Sequence, residues 1–496
     1  MEQLAEQRLR ILFVSAEVSP FARTGGLGDV VGALPPVLRA HGLDVRVIMP
    51  FYQSVRDRSL PLTPMLRDLR VPLVFGNRTA NVWRGTLEGN EESPSIYFIE
   101  QDEYFARPGL YGDSDGDYPD NALRFIFFST ATLAFVEHLG WFPHVVHCHD
   151  WHTGLVPAYL RFPSRLSSRQ AGASSLFTIH NFAYQGVFPS PMFSLTGLPP
   201  RLFQPRGVEF HGNVNFMKSG LYYADRVTTV SPTYAEEICT PEFGCGLDGV
   251  LRERENILTG ILNGVDYDAW NPATDAVIAE RYSVDDPSGK AACKITLLRL
   301  FGLAEDLERP LVGMVTRLTE QKGVDLALSS LERFFALGVN LVILGSGERQ
   351  YEELLVTLAP RYPNRLGVRI GFNDKLAHQI QAGSDFLLMP SRFEPCGLTQ
   401  LYAMRYGTVP IVRATGGLQD TVTPFDATTR QGVGFVFSEP TSDALLDSVQ
   451  TAISVFAEKA AWRQLQSNAM RSDFSWDRSA TRYVELYRQM VEEKQR

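Results

Sequence analysis

The stretch FARTGGLGDVVGALP, residues 21–35, is the part of the chain from which the fold can be worked out. Its centre, TGGLGDVV at 24–31, returns near the other end as TGGLQDTV at 415–422, changed only at the fifth and seventh places. In both copies the turn links a strand-like region to a helix-like one. Glycine permits positive φ and close approach to the backbone, and free N–H groups at a helix start attract anions. The repeat therefore predicts two strand-to-helix turns, used either for ligand binding or for helix packing.

Short apolar runs recur along the chain, with helical patterns between them. Before the middle of the chain they lie at 10–17, 44–50, 95–100, 144–150, 175–181 and 226–232. After it they lie at 311–318, 339–347, 367–372, 385–391, 409–415 and 433–439. Continuous apolar strands that alternate with helices are typical of parallel sheets covered on both faces. Because the pattern occurs twice, we predict an α/β fold of two doubly wound, Rossmann-like domains that face a cleft.

The length of 496 residues exceeds what one ordinary core accommodates, so two large domains are expected. The segment 263–290 is polar and turn-rich, and we place the junction there. We predict an N-terminal domain at 1–262 and a C-terminal domain at 263–475. The charged amphipathic pattern at 476–496 predicts a terminal helix that packs back on the N-terminal domain.

Composition excludes several classes of partner. The net charge of −9 is spread along the chain without a run of Lys and Arg, which argues against nucleic acid or an anionic membrane. The five cysteines are scattered and form no CxxC pair, which fits a reducing compartment. The polar lead runs straight into an apolar strand without a signal-peptide pattern, and the longest apolar stretch, 125–136, is too short to span a bilayer. We therefore expect a cytoplasmic protein.

Two alternative readings of the motifs are disfavoured. Gly26, Gly28 and Gly32 resemble a dinucleotide fingerprint, but the second strand ends in Pro50 and Phe51 rather than in the acid that would hold a ribose. Histidines at 144, 147, 149 and 152 suggest a metal cluster, but no second group with ligand spacing is evident elsewhere. We expect neither a nicotinamide cofactor nor a metal.

Charged residues follow the strands of the second half. Arg317 and Lys322 lie five residues apart at a strand-to-helix turn and could neutralise a diphosphate leaving group, although each alone could be ordinary solvated charge. Glu394 also follows a strand, before a predicted helix start whose amides could bind an anion. A carboxylate beside an anion site is unfavourable unless it binds hydroxyl groups or a developing cation, and this favours a functional role.

The motifs together resemble one family. RTGGLGDVVGALP, HCHDWHTGLVP, TIHNFAYQG, ILNGVDYDAWNP, VTRLTEQKG and PSRFEPCGLTQLYAMRYGTVPIVRATGGLQDTV are similar to bacterial glycogen synthases and plant starch synthases, in the family's order, over roughly residues 10–490. These are retaining transferases of the glycosyltransferase-B fold. The resemblance implies transfer of glucose from ADP-glucose to the non-reducing end of an α-1,4-glucan, without a metal or other cofactor.

The resemblance also implies roles for residues that match the family's motifs. Arg317 and Lys322 would hold the diphosphate, Glu394 would orient the glucose, and the backbone carbonyl of His180 would lie beside the anomeric carbon. Phe372 would stack on adenine, and the amides of Gly397 to Thr399 would receive phosphate oxygens. The full set of implied substrate-binding residues is Arg23, Gly25, Gly26, Asp29, Asp150, Asn181, Asn263, Phe372, Cys396, Gly397, Leu398 and Thr399.

One residue departs from the family pattern, because Arg23 stands where the family has Lys. Arg keeps the charge and can bind phosphate through two N–H groups, but it is bulkier than Lys and not interchangeable with it. This departure hints at one alternative, a catalytically impaired glycan-binding relative. A second alternative, from the same fold, is a related retaining transferase that uses UDP-glucose. The segment GLYGDSDGDYPDNALRF, 109–125, also resembles the family and is rich in groups that bind sugars, which suggests an acceptor-side role.

Overall fold

The computed structural model of the chain describes residues 8–58, 60–87, 89, 92–114, 116–163 and 172–495. Residues 1–7 of the polar lead, Asp115 in the 109–125 segment and Arg496 of the terminal helix therefore lie outside the described residues. The chain forms two compact units. The first comprises Met1–Val230, Ala235–Gly264 and Trp476–Arg496, and the second comprises Ser231–Tyr234 and Val265–Ser475.

The first unit is built on a mostly parallel sheet. Its strands are Arg10–Val14 (β1), Asp44–Pro50 (β2), Thr63–Leu73 (β3), Gly76–Thr86 (β4), Ser95–Glu100 (β5), Gly112–Asp113 (β6), Gly116–Asp117 (β7), Val145–His149 (β8), Ser174–Ile179 (β9), Val187–Pro189 (β10), Glu209–Phe210 (β11), Asn213–Asn215 (β12), Arg226–Thr229 (β13) and Leu258–Gly260 (β14). The nine-stranded sheet has the order β14-β13-β9-β8-β1-β2-β5-β4-β3. The pairs β5–β4 and β4–β3 are antiparallel, and the other neighbouring strands of this sheet are parallel. Separate small sheets hold β10-β12-β11 and β6-β7.

Helices cover this sheet. They are Gly26–Ala40, Gln53–Arg56, Asp102–Phe105, Asn121–Leu139, Leu155–Arg161, Pro191–Thr196, Phe216–Tyr223, Asp248–Glu253 and Trp476–Gln495, with Pro232–Glu237 at the boundary between the units. Among the described residues, one helix, Asn121–Leu139, is long and apolar enough to cross a membrane, but 67% of its most apolar window is buried inside the protein. Core helices pass the same test, so this helix is weak evidence for a membrane span. The terminal helix packs in the first unit, where Tyr487 bonds to His147 and Ser479 donates to the carbonyl of Leu262.

The second unit has a parallel sheet throughout. Its strands are Leu311–Val315 (β15), Asn340–Gly345 (β16), Leu366–Ile370 (β17), Phe386–Met389 (β18), Val409–Arg413 (β19) and Phe435–Phe437 (β20), in the order β17-β16-β15-β18-β19-β20. Its helices are Gly289–Leu300, Val324–Ser329, Leu331–Ala336, Arg349–Leu358, Asp374–Gly383, Thr399–Arg405, Gly416–Thr421, Ser442–Ala457 and Lys459–Arg471.

Both sheets are doubly wound, and this positions the candidate site. In the first unit the strand order reverses between β1 and β8, and in the second between β15 and β18. Ligands of such sheets bind beyond the carboxyl ends of the strands at the reversal. Each predicted apolar run forms a strand, so the predicted two-domain α/β architecture with parallel sheets is confirmed. The antiparallel pair β3–β4 was not predicted, because most of β3 is exposed and carries polar residues.

Candidate active site

The first glycine turn lies after β1 and is open to solvent. Arg23, Thr24, Gly25 and Gly26 are exposed, and apart from adjacent residues a Cβ added at either glycine would meet no atom of the described residues within 4 Å. Arg23 Nη1 donates to Asp29 Oδ1 at 2.8 Å. The predicted residues of this turn therefore lie together, with a backbone that a ligand could approach closely.

Asp150, directly after β8, holds the segment that follows β9. Its Oδ1 accepts from the backbone N–H of His180 at 2.7 Å, and the amide of Asn181 also donates to the carboxylate. Burial raises the pKa of Asp150 to about 7 in spite of these bonds. The residue has φ of 53°, and residues other than glycine held in such conformations cluster at functional sites. One carboxylate thus brings together three predicted residues.

The buried histidines form a neutral, hydrogen-bonded row. His149 Nδ1 lies 2.9 Å from His180 Nε2, and His147 bonds to Tyr487 and Thr178. Burial lowers the pKa of His180 to about 3 and holds the pKa values of His147 and His149 well below the usual range. Among the described residues, no group of three or more His, Cys, Asp or Glu is arranged to hold a metal ion. These rings therefore order the ends of β8 and β9.

Asn263 follows β14 and is 5% exposed. Its Oδ1 is buried and has no hydrogen-bond partner among the described residues. Buried polar groups are normally paired, so this oxygen is placed to accept a hydrogen bond from a ligand.

In the second unit, Lys322 and Glu394 form a close ion pair. Lys322 lies in a short turn, Glu320–Lys322, after β15, and Glu394 follows β18. Lys322 Nζ is 2.5 Å from Glu394 Oε2, and the two side chains are 16% and 6% exposed. Ser391 Oγ donates to the same carboxylate oxygen at 3.1 Å. Nearby in sequence, Arg317 is exposed and donates to Gln321 at 3.3 Å. The reversal between β15 and β18 thus carries the predicted cations and carboxylate.

The second glycine turn is buried and packs against the backbone of the segment that contains Glu394. Gly416 has φ of 44°, and a Cβ added there would lie 2.0 Å from the carbonyl oxygen of Glu394. A Cβ at Gly417 would lie 2.1 Å from the carbonyl oxygen of Cys396. The Gly417 N–H donates to the carbonyl of Glu394 at 3.1 Å. Only glycines can pack this closely against a backbone, so the turn supports the segment 394–396 by direct contact.

The segment after Glu394 leads into a helix start. Gly397 has φ of 71°, and Gln400 Nε2 donates at 3.0 Å to the carbonyls of both Cys396 and Gly397. Leu398 directly precedes the helix Thr399–Arg405. With their carbonyls directed to Gln400, Cys396 and Gly397 are held in one conformation. The structure therefore orders the predicted residues 396–399 as one element.

Phe372 lies two residues after the end of β17. Its side chain is 76% exposed and lies on the rim of a pocket of about 450 Å³. Apolar side chains from Leu300 to Leu376 and the cations Arg369 and Lys375 line the pocket. The stacking role of Phe372 stays a prediction.

Several residues at the two reversals were not singled out from the sequence. They support predicted residues through hydrogen bonds, and they are Glu17, Thr24, Tyr111, Ser391 and Gln400. A signal for Glu17 exists, because it is the only charged residue between Arg10 and Arg23. The others are of ordinary types at ordinary spacings, and only the fold shows their contacts.

Comparisons with known proteins bear on this arrangement. Residues 10–253 match the starch synthase catalytic domain family, and residues 300–464 match the glycosyl transferases group 1 family. The chain is 48% identical to a glycogen synthase of Syntrophotalea carbinolica, over 98% of this chain and 99% of the relative. It resembles the catalytic domain of starch synthase IV from Arabidopsis thaliana, solved bound to ADP and acarbose, with 34% identity, a TM-score of 0.90, and coverage of 98% of this chain and 100% of the other.

A second solved structure, a sucrose-phosphate synthase from Thermosynechococcus elongatus, shares the fold at 17% identity and a TM-score of 0.62, covering 98% of this chain and 100% of that one. The doubly wound sheets and these matches define a glycosyltransferase of the glycosyltransferase-B architecture. The chain belongs to the family of glycogen and starch synthases, and its function is that of a glycogen synthase.

Proposed function

We propose that the enzyme acts in the cytoplasm and transfers glucose from ADP-glucose to the non-reducing end of an α-1,4-glucan, with retention of the anomeric configuration. The names of the relatives and the ADP bound to the starch synthase IV structure support this choice. The single observation that carries it is the close pair of Lys322 and Glu394 at a sheet reversal. A diphosphate and a sugar need a cation and a hydroxyl-binding carboxylate side by side.

In this proposal, the second unit binds the donor. Arg317 and Lys322 hold the diphosphate and neutralise the charge that develops as ADP departs. Glu394 accepts from the glucose hydroxyls and orients the ring. The amides of 397–399 receive phosphate oxygens, and the exposed ring of Phe372 stacks on adenine. The buried turn at 415–420 keeps the segment 394–396 in place for these contacts.

The first unit contributes the reacting centre. The backbone carbonyl of His180 stabilises positive charge at the anomeric carbon, and Asp150 fixes that backbone through its bond to the His180 amide. Asn181 and Asn263 line the sugar pocket. The turn with Arg23, Gly25, Gly26 and Asp29 contacts the phosphate and sugar of the donor.

The route that these roles support is a front-side displacement. The bond between the anomeric carbon and the diphosphate oxygen breaks, and an oxocarbenium-like species forms. The acceptor oxygen then bonds to the anomeric carbon from the same face, and its proton passes to the departing phosphate. Double displacement would need a carboxylate nucleophile, and the motif at 178–181 offers none. Catalysis then rests on positioning and electrostatics.

The test is ADP release on mixing the enzyme with ADP-glucose and glycogen. We expect release that requires glycogen, is much slower from UDP-glucose, and falls by about 10³-fold in Glu394→Gln, a loss typical of removing a group that contacts the transition state. Glu394→Ala should lose at least as much. The matched control is Glu353→Ala, which removes an exposed glutamate that pairs with Arg349 on the same helix and should leave the rate unchanged.

Faster release from UDP-glucose would assign the chain to a transferase with another donor. A folded protein that binds glycogen but releases nucleotide from neither donor would support the glycan-binding alternative. The observation behind that alternative is Arg23, which stands in place of the family Lys and is engaged by Asp29.

A further inference from the structure

Glu17 is a buried carboxylate that the mechanism above does not use. It lies three residues after β1 and is 3% exposed. Burial raises the pKa of this carboxyl group, although four hydrogen bonds act in the opposite direction. A charge this deeply buried is retained at a cost, and hydrogen bonds to it must offset that cost.

The donors to Glu17 come from two separate loops. Thr24 donates its backbone N–H to Oε2 at 2.5 Å and its hydroxyl to Oε1 at 2.7 Å. The amide of Gly25 donates as well. The hydroxyl of Tyr111, 94 residues away, donates to Oε1 at 2.7 Å. One side chain thus ties the open glycine turn to the 109–125 segment.

The open turn needs such support because its glycines have no side-chain packing. Gly25 and Gly26 are exposed, and in the described part of the chain no atom outside the adjacent residues lies within 4 Å of where their Cβ atoms would be. Bonds to the peptide groups of Thr24 and Gly25 can fix this backbone without covering it. Tyr111 is itself fixed, since its ring stacks on His152 with centroids 4.5 Å apart.

We propose that Glu17 is a positioning residue, which holds the Thr24–Gly26 backbone in the form that receives the phosphate-sugar part of the donor and couples it to the 109–125 segment. The inference rests on the proposed function, because it assumes that this turn contacts the donor. The carboxylate of Glu17 is engaged by Thr24, Gly25 and Tyr111, so in this proposal it acts on the donor through the turn and not by direct contact.

The test compares Glu17→Gln with Glu100→Gln. Glu100 is a matched control in the same sheet, since it also accepts several bonds, from Asn81, Trp83 and Arg56. A glutamine at position 17 keeps the shape of the side chain, but its NH2 group would face the hydrogen-bond donors of Thr24 and Tyr111. We expect the KM for ADP-glucose to rise by about tenfold or more, the loss that follows from one charged hydrogen bond, with kcat less affected. Glu100→Gln should lower the melting temperature without changing KM.

Tyr111→Phe provides a second variant that removes one donor and keeps the stacked ring. Its KM should rise several-fold even if Glu17→Gln fails to fold. An active wild-type enzyme whose KM is unchanged in Glu17→Gln, or in Tyr111→Phe where the first variant does not fold, would overturn the inference. Should the wild type release no ADP, the proposed function fails instead, and ADP affinity measured by calorimetry then decides the role of Glu17. Tenfold weaker binding in the variant would support it, and equal binding would refute it.

Discussion

The two glycine turns, 24–31 and 415–422, share six of eight residues and lie in opposite surroundings. In the first, Gly25 and Gly26 face open space. In the second, Gly416 and Gly417 press against the backbone of 394–396. The same residues therefore serve two purposes, since the absence of a side chain can admit a ligand or another segment of the chain.

The two positions at which the copies differ follow the same division. Gly28 of the open turn has Arg23 Cβ 2.7 Å from where its own Cβ would be, whereas its counterpart Gln419 is exposed. Val30 is buried, while its counterpart Thr421 accepts a hydrogen bond from Gln400, whose side-chain amide also donates to the carbonyls of Cys396 and Gly397. At both positions the residue type fits its neighbours, which are Arg23 in the open turn and Gln400 in the buried turn.

The largest expected effect is on the buried turn. Gly417→Ala would place a Cβ 2.1 Å from the carbonyl oxygen and 2.4 Å from the Cα of Cys396, so backbone must move. Overpacking against backbone should cost about 3 kcal/mol or more and displace Glu394. We expect a large drop in melting temperature and loss of glucosyl transfer. A variant with wild-type melting behaviour would show that this turn is not a packing element.

The open turn should give the opposite result. Gly25→Ala meets no atom within 4 Å, and φ of −170° suits any residue, so the melting temperature should stay unchanged. A methyl group on a backbone that contacts the donor should lower kcat/KM by about 30- to 100-fold, or about 2 to 3 kcal/mol. Steady-state kinetics beside calorimetric melting test this. Unchanged kinetics would remove the donor from this turn.

The difference between the turns shows where sequence-based prediction succeeds. Buried parallel strands are continuous apolar runs, so the core strands of both sheets could be predicted, and with them the positions that follow each strand. The hairpin β3–β4 could not, because TPMLRDLRVPL at 63–73 is mostly exposed and interrupted by charge and proline. Because the sequence TGGL is the same at 24–27 and 415–418, it does not indicate which of the two turns is buried. That depends on residues 394–396, which come close only in the folded chain.

The supporting network was also beyond sequence reasoning. Glu17 and Tyr111 are 94 residues apart, and nothing in their separation predicts a 2.7 Å hydrogen bond. The histidines at 147 and 149 suggested a metal cluster from their types. Their actual role, a neutral row that meets His180, depends on burial, which lowers their pKa values.

A change of pH should also act differently on the two regions. The segment 394–396, which packs against the buried turn, is held by hydrogen bonds to its backbone carbonyls, and these groups do not titrate. In the unit that contains the open turn, burial raises the pKa of Asp150 to about 7. We expect kcat/KM to rise by up to about tenfold from pH 6 to pH 8 as this carboxylate ionises, because its charge stabilises the oxocarbenium-like species. In Asp150→Asn this rise should be absent, and a variant that keeps it would assign the ionisation to another group.

The free energy of unfolding should fall between pH 6 and pH 8, while kcat/KM rises. A raised pKa means that the folded state binds the proton more tightly than the unfolded state, so the contribution of Asp150 is present at low pH and is lost as pH rises through about 7. Between pH 6 and pH 8 the free energy of unfolding should fall by about 1 kcal/mol relative to Asp150→Asn. Urea denaturation of both proteins at the two pH values measures this difference and cancels the histidines common to both.

The smallest expected effect concerns Arg23, the residue by which the open turn departs from its family. Arg23 and Asp29 form a pair whose side chains are 38% and 29% exposed, and such pairs contribute about 0 to 1 kcal/mol. Arg23→Lys should therefore change the melting temperature little. It should change the KM for ADP-glucose by less than about tenfold, because either cation can meet a phosphate and only the two-pronged contact of Arg is lost. Asp29→Asn separates the two contributions, since it removes this ion pair and keeps the arginine. A large gain of activity in Arg23→Lys would contradict this expectation. It would mean that Arg23 lowers the rate of glucosyl transfer, so that the open turn would limit activity while the buried turn supports the packing of 394–396.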